Sequence, residues 1–139
     1  PISTLIPEDY IPDVHTRLVL YKRLAEADSV ASIDDLRQEI SDRFGKLPEP
    51  TRHLCRLTQL KCRAKQLGIA KLDIGHRYGH IEFSANTQVA PQTIVQLIQQ
   101  QPNHYQLQDG QQLRFSLDGH TTPTALFDHI EQTLKSLSQ

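Results

Sequence analysis

The chain has 139 residues, 37% of them apolar and 22% charged, with a net charge of −1; that suffices for one domain with its own core and hardly for two. A near-neutral charge singles out neither a nucleic acid nor a membrane surface as a global partner, and no apolar run approaches the roughly 20 residues that span a bilayer. The start "PISTLIPEDY" lacks the basic segment and apolar stretch of a signal peptide, and no methionine occurs anywhere, which points to a single domain, 1–139, excised from a longer polypeptide.

Residues 1–13 set Pro7 and Pro12 on either side of Tyr10 and Ile11. Proline lacks an amide donor and biases the residue before it to extended backbone. The segment therefore reads as an extended arm that lays Leu5, Ile6, Tyr10 and Ile11 on the domain or on a neighbour. Asp13 can cap a first helix over about 14–27, whose Val14, Leu18, Tyr21 and Ala25 recur at helical spacing with Leu24 beside them. Ser32 is the expected cap of a second helix that runs to Phe44, with Ile33, Leu36, Ile40 and Phe44 as its apolar stripe. Gly45 suits the left-handed residue that ends many helices. Pro48 suits the first turn of a third helix, which carries Leu54, Leu57, Leu60, Ala64 and Leu67 and stops at Gly68. The helical part, 14–68, predicts a small antiparallel group.

From residue 69 the period changes. "IAKLDIG" alternates Leu72 and Ile74 with polar residues, "HIEFS" alternates Ile81 and Phe83, and Gly75 and Gly79 bound the turn of a hairpin. Pro91 opens a short helix with Ile94, Val95, Leu97 and Ile98. "HYQLQ" and "QLRFSL" form a second hairpin around Asp109–Gly110. A last helix over about 123–137 carries Leu126, Ile130, Leu134 and Leu137. The expected fold is α+β: three helices, then ββαββα with a small, mostly antiparallel sheet covered by helices.

Little in the chain resembles catalytic machinery. No glycine pattern matches a phosphate-binding loop, so no nucleotide cofactor is expected. His76 and His80 lie four apart, but glycines break the segment into a turn and no third ligand stands near, so they read as surface turn residues rather than a metal site. Cys55 and Cys62, seven apart on a helix, are about 10.5 Å from each other, too far for a disulfide. They read as partly buried, reduced thiols flanking the apolar stripe in a cytoplasmic protein, rather than as a nucleophile paired with a histidine. The third helix is basic: Arg52, Arg56, Lys61, Arg63 and Lys65, with three arginines on one face. It is the best nucleic-acid feature of the chain, over 52–65. Without interleaved aromatics for base stacking, it also reads as a solvated face or as a partner for the acidic second helix.

One cluster is not explained by stability. Glu39, Asp42 and Arg43 lie beside the stripe of the second helix, just before the Phe44–Gly45–Pro48 turn. The Glu39–Arg43 pair, acid first, adds only about 0.3–0.5 kcal/mol on an exposed helix. A fixed fork of charge beside a rigid turn suits recognition of a complementary group; a solvated helix face is the alternative.

Three segments, "IPEDYIPD" (6–13), "RLVLYKRL" (17–24) and "EISDRFGKLPEP" (39–50), with "LGIAKLDIG" and "IEFS" after them, resemble the C-terminal domain of the bacterial transcription-repair coupling factor (Mfd, TRCF) family. The departure is Ser41, where the family usually places an apolar residue. The resemblance implies a non-enzymatic regulatory domain, part of an ATP-driven DNA translocase that removes stalled RNA polymerase. It implies that the domain folds onto a UvrB-like module of the same parent chain, hides that module's UvrA-binding surface and restrains the motor until polymerase is engaged. Glu39, Asp42 and Arg43 are then the expected contact residues, with no direct DNA binding, no membrane partner and no cofactor.

Overall fold

The computed structural model describes residues 2–117, 119 and 122–139; Pro1, the first residue of the expected arm, lies outside them. Among the described residues the elements run α1 (Val14–Glu26), α2 (Val30–Phe44), α3 (Glu49–Gln66), β1 (Ile69–Ile74), β2 (Tyr78–Phe83), α4 (Pro91–Gln100), β3 (Tyr105–Gln108), β4 (Gln112–Ser116) and α5 (Pro123–Leu137). This is the expected order, three helices and then ββαββα. The chain falls into two compact units, Pro1–Cys62 and Arg63–Gln139, and each is described by itself.

The first unit closes around one core of Ile6, Ile11, Leu20, Leu24, Ile33, Leu36, Ile40, Leu47 and Cys55. The arm is part of that core. Ile6 and Ile11 are buried while Leu5 stays exposed, and the segment turns at Pro7, whose carbonyl accepts from the amides of Tyr10 and Ile11 at 3.1 Å each. Side chains tie it down: Tyr21 Oη accepts from the Ile6 amide at 2.7 Å, Arg17 Nη1 donates to the Ile11 carbonyl at 2.7 Å, and Thr51 Oγ1 donates to the Leu5 carbonyl at 3.0 Å.

Helix α1 starts at the expected cap, since Asp13 Oδ2 accepts from the Thr16 amide at 3.0 Å. Its inward stripe is not the expected one. Leu20 and Leu24 are buried, whereas Val14 and Leu18 are 58% and 61% exposed. The helix has apolar residues on two faces, and the core selects the Leu20 face. The cap of α2 is Ser29 rather than Ser32: Ser29 is extended, its Oγ accepts from the Ser32 amide at 3.0 Å, and the Ser32 hydroxyl reaches back as the third helical residue. The stripe Ile33, Leu36 and Ile40 is buried as expected, with Phe44 half-buried against it.

On α3 the buried positions are Thr51, Cys55, Gln59, Leu60 and Ala64. Cys55 therefore sits inside the core instead of flanking it. Gln59 is buried because its amide is satisfied, Nε2 donating to Asp34 Oδ1 at 2.7 Å and to the Val30 carbonyl at 3.2 Å.

The second unit is a four-stranded antiparallel sheet of order β1-β2-β4-β3, flanked by helices. Leu113, Phe115 and Leu117 are buried. On α5 the buried set is Phe127, Ile130, Thr133, Leu134 and Leu137; Phe127 takes the place expected of Leu126. The second hairpin turns at Gly110, with φ 70°. Gly79 does not bound a turn. It lies within β2, opposite Ile74 on one side and Phe115 on the other, and the Phe115 ring fills the space a Cβ would take. Of the two histidines, His76 remains in the turn and His80 stands on the strand, opposite Asp73 and Arg114.

Gly79→Ala is expected to lower stability by about 1–3 kcal/mol, the usual range for overpacking. In urea denaturation the double mutant with Phe115→Leu should lose less than the sum of the two single losses, because one obstacle is shared. Fully additive losses would show that the ring is not what excludes the side chain.

Candidate functional site

On α2 the buried stripe leaves Gln38, Glu39, Asp42 and Arg43 toward solvent, with Glu39 and Arg43 one helical turn apart. The structure brings those two together, Arg43 Nη1 standing 3.4 Å from Glu39 Oε2. Asp42 does not join them; its Oδ1 accepts from Gln38 Nε2 at 2.9 Å. The predicted trio is thus a pair and a neighbour on one exposed surface.

The residue that organises the pair comes from another helix. Arg23, in the last turn of α1, donates through Nη1 to Glu39 Oε2 at 2.5 Å and through Nη2 to Glu39 Oε1 at 2.8 Å. Two parallel bonds of this kind fix the plane of both groups. The Arg23 guanidinium, and after it that of Arg43, holds the Glu39 carboxyl far below its usual 4.5, at about 2. Arg23 escaped sequence reading because it has a local decoy, Glu26 three residues on. That acid is taken by Lys22, at 3.9 Å. The usable signal was a surplus of base on α1 facing a surplus of acid on α2.

The turn beneath the cluster is built as rigidly. Arg43 stacks its guanidinium over the Phe44 ring, 4.8 Å from the centroid, and Tyr10 meets Phe44 edge-on at 6.2 Å. Tyr10 Oη donates to the Gly45 carbonyl at 2.5 Å. Gly45 has φ 96° and ψ −174°, which is not the expected left-handed helical conformation but a region open essentially to glycine alone. Nothing stands within 4 Å of where a Cβ would lie, so backbone geometry and not space demands glycine there. Pro48 sits one residue before α3 rather than in its first turn, and its carbonyl accepts from the Thr51 and Arg52 amides at 3.0 Å each.

The other expected candidates are placed differently. The basic α3 is not what meets Glu39. Arg52 turns back, Nη1 donating to the Leu47 carbonyl at 2.8 Å, and neutral Gln59 bonds α2 at Asp34 and Val30. Neither cysteine is in a disulfide, and burial pushes the Cys55 thiol up, opposite to the shift an activated nucleophile needs. Among the described residues, no three His, Cys, Asp or Glu side chains converge as a metal set, and no helix is long and apolar enough to cross a membrane.

Comparison with known proteins gives one consistent likeness. A family model described as the TRCF domain matches residues 1–94. The transcription-repair-coupling factor of Escherichia coli is 38% identical over 138 residues, which are 99% of this chain and 12% of the relative. That of Haemophilus influenzae is 41% identical over 117 residues, 84% of this chain and 10% of the relative. The chain thus spans only about a tenth of the length of the curated relatives it matches. A crystal structure of the C-terminal domain of transcription-repair coupling factor shares the fold, with a TM-score of 0.71 at 17% identity, over 99% of this chain and 92% of the other.

The Arg23–Glu39 bridge carries a defined pH dependence. A carboxyl whose folded pKa is depressed stabilises the fold above its ordinary pKa and loses that contribution as pH falls toward the folded value. The window is therefore from about 4.5 down to about 2. Because the Glu39 side chain is 38% exposed, the contribution expected is that of a surface pair, about 0.2–1 kcal/mol. Thermal melts of the wild type and Glu39→Gln should differ by a constant amount above about pH 5 and converge toward pH 2. A difference that persists at the acid end would assign the stabilisation to something other than this carboxylate.

Proposed function

This chain belongs to the TRCF domain family, and from that premise we propose that it is a non-catalytic, autoinhibitory regulatory domain of a transcription-repair coupling factor. It docks on the UvrB-like module of the same parent chain, covers the surface that UvrA uses and restrains the translocase motor until RNA polymerase is engaged. Its setting is the cytoplasm. The carrying observation is the exposed Glu39–Arg43 pair with Asp42 beside it, fixed on a helix that ends in a glycine-specific turn. Stability alone does not account for such a surface, since exposed pairs contribute so little, whereas docking uses fixed, directional charge.

The energy required is small. Holding a masked form at about 99:1 takes about 2.7 kcal/mol, half of a full population reversal. Two charge-assisted hydrogen bonds, at about 1.5–3 kcal/mol each, cover it. A contact of that strength also yields to a competing one.

The test places this chain in full-length Escherichia coli transcription-repair-coupling factor, in exchange for the matching segment. Glu39→Ala, Asp42→Ala and Arg43→Ala together should allow UvrA capture without the normal trigger. The same triple change in the chain alone should lower stability by no more than about 1 kcal/mol. Phe44→Ala is the contrast. Its half-buried ring predicts a loss below the about 3–5 kcal/mol of a fully buried phenylalanine, through the fold and not the surface alone. A triple mutant that melts normally and still excludes UvrA would leave α2 a solvated face.

A further inference from the structure

Glu39 is not a free acid awaiting a partner. Both of its oxygens accept from Arg23, at 2.5 and 2.8 Å, and Oε2 also receives Arg43 at 3.4 Å. Arg43 is pinned in turn by the Phe44 ring. The exposed surface therefore presents a carboxylate clamped between two guanidiniums, one from each helix.

We infer that Arg23 is a positioning residue of the α2 recognition surface: by gripping both Glu39 oxygens from α1, it holds Glu39, and with it Arg43, in the orientation a docking partner meets. The inference rests on the docking reading above, and extends it to a second helix. A loose glutamate on an exposed helix samples several rotamers, and binding has to freeze one of them. Ordering a side chain beforehand improves affinity by roughly 2- to 13-fold, the equivalent of one immobilised side chain. The fork geometry is what matters. A lysine carries the same charge as a point donor and cannot reproduce two parallel bonds. The depressed Glu39 carboxyl has Arg23 as its leading cause.

The experiment compares Arg23→Lys, Arg23→Gln and Glu39→Ala in this chain, with Lys22→Ala as the neighbouring-cation control. Affinity for the isolated UvrB-like module of Escherichia coli transcription-repair-coupling factor is read by calorimetry. Titration of the Glu39 carboxyl carbon in the chain alone is read by NMR. Arg23→Lys and Arg23→Gln should each weaken binding by about 2- to 13-fold, and Lys22→Ala should leave it unchanged. In the same two variants the Glu39 carboxyl should titrate higher than in the wild type. Wild-type affinity in both Arg23 variants, while Glu39→Ala weakens binding, would overturn the positioning role and leave the docking reading standing. Wild-type affinity in Glu39→Ala as well would overturn the docking reading and, with it, any part for Arg23 in recognition. An unmoved carboxyl in Arg23→Gln would overturn the grip itself, whatever the binding shows.

Discussion

Leu20 and Leu24 of α1 and Ile33, Leu36 and Ile40 of α2 bury their stripes in one core, and the placement of the charged surface follows from that packing. Arg23 comes one residue before Leu24, and Glu39 one residue before Ile40. On a helix the preceding residue points about 100° away, so both side chains leave the core at its edge and not on the far face. Burial of the leucine and the isoleucine thus carries the arginine and the glutamate to the same seam. The bridge between them adds little to the stability of the fold and is a consequence of it.

A second constraint acts at the end of α2. The backbone at Gly45 takes a conformation that a side chain would oppose, and Tyr10 from the arm holds that turn by its hydroxyl and by its ring against Phe44. The contacts then run from the arm through Tyr10 and Phe44 to Arg43, and from Arg43 to Glu39 and Arg23. Tyr10, Phe44, Arg43 and Glu39 in this series each have partners on two sides. Such contacts restrain exposed side chains, a property that the proposed docking face would use.

Much of this was legible in the sequence, and the failures have identifiable causes. The α2 stripe and strand β4 could be read because each has a single period and a clear stop. On α1 two apolar faces compete, Val14 and Leu18 against Leu20 and Leu24, and only tertiary packing chooses between them. On α3 the buried positions include Thr51 and Gln59, polar residues that a hydrophobic pattern passes over because their hydrogen-bond partners are remote: Leu5 for Thr51, Val30 and Asp34 for Gln59. Gly79 looked like a turn because the ring that excludes its side chain belongs to Phe115, thirty-odd residues away. Glu39 and Arg43 were visible as a local pair, whereas Arg23 was not, since its partner lies on the next helix and a nearer acid stood in the way.

The pre-formed bridge also bears on how a charged surface can be covered and uncovered. A lone carboxylate taken out of water costs several kcal/mol unless its new neighbour meets it with good geometry. A carboxylate already gripped by guanidiniums has its charge offset before any partner arrives, so the proposed docking would disturb less hydration at Glu39. The same pairing limits what the partner gains, because the best acceptor sites on Glu39 are in use. On the proposed reading, a partner docking here would be left the outer donors of Arg43 and the second oxygen of Asp42. That is a modest and directional set of contacts, suited to an interface that closes by default and opens when something else competes for it.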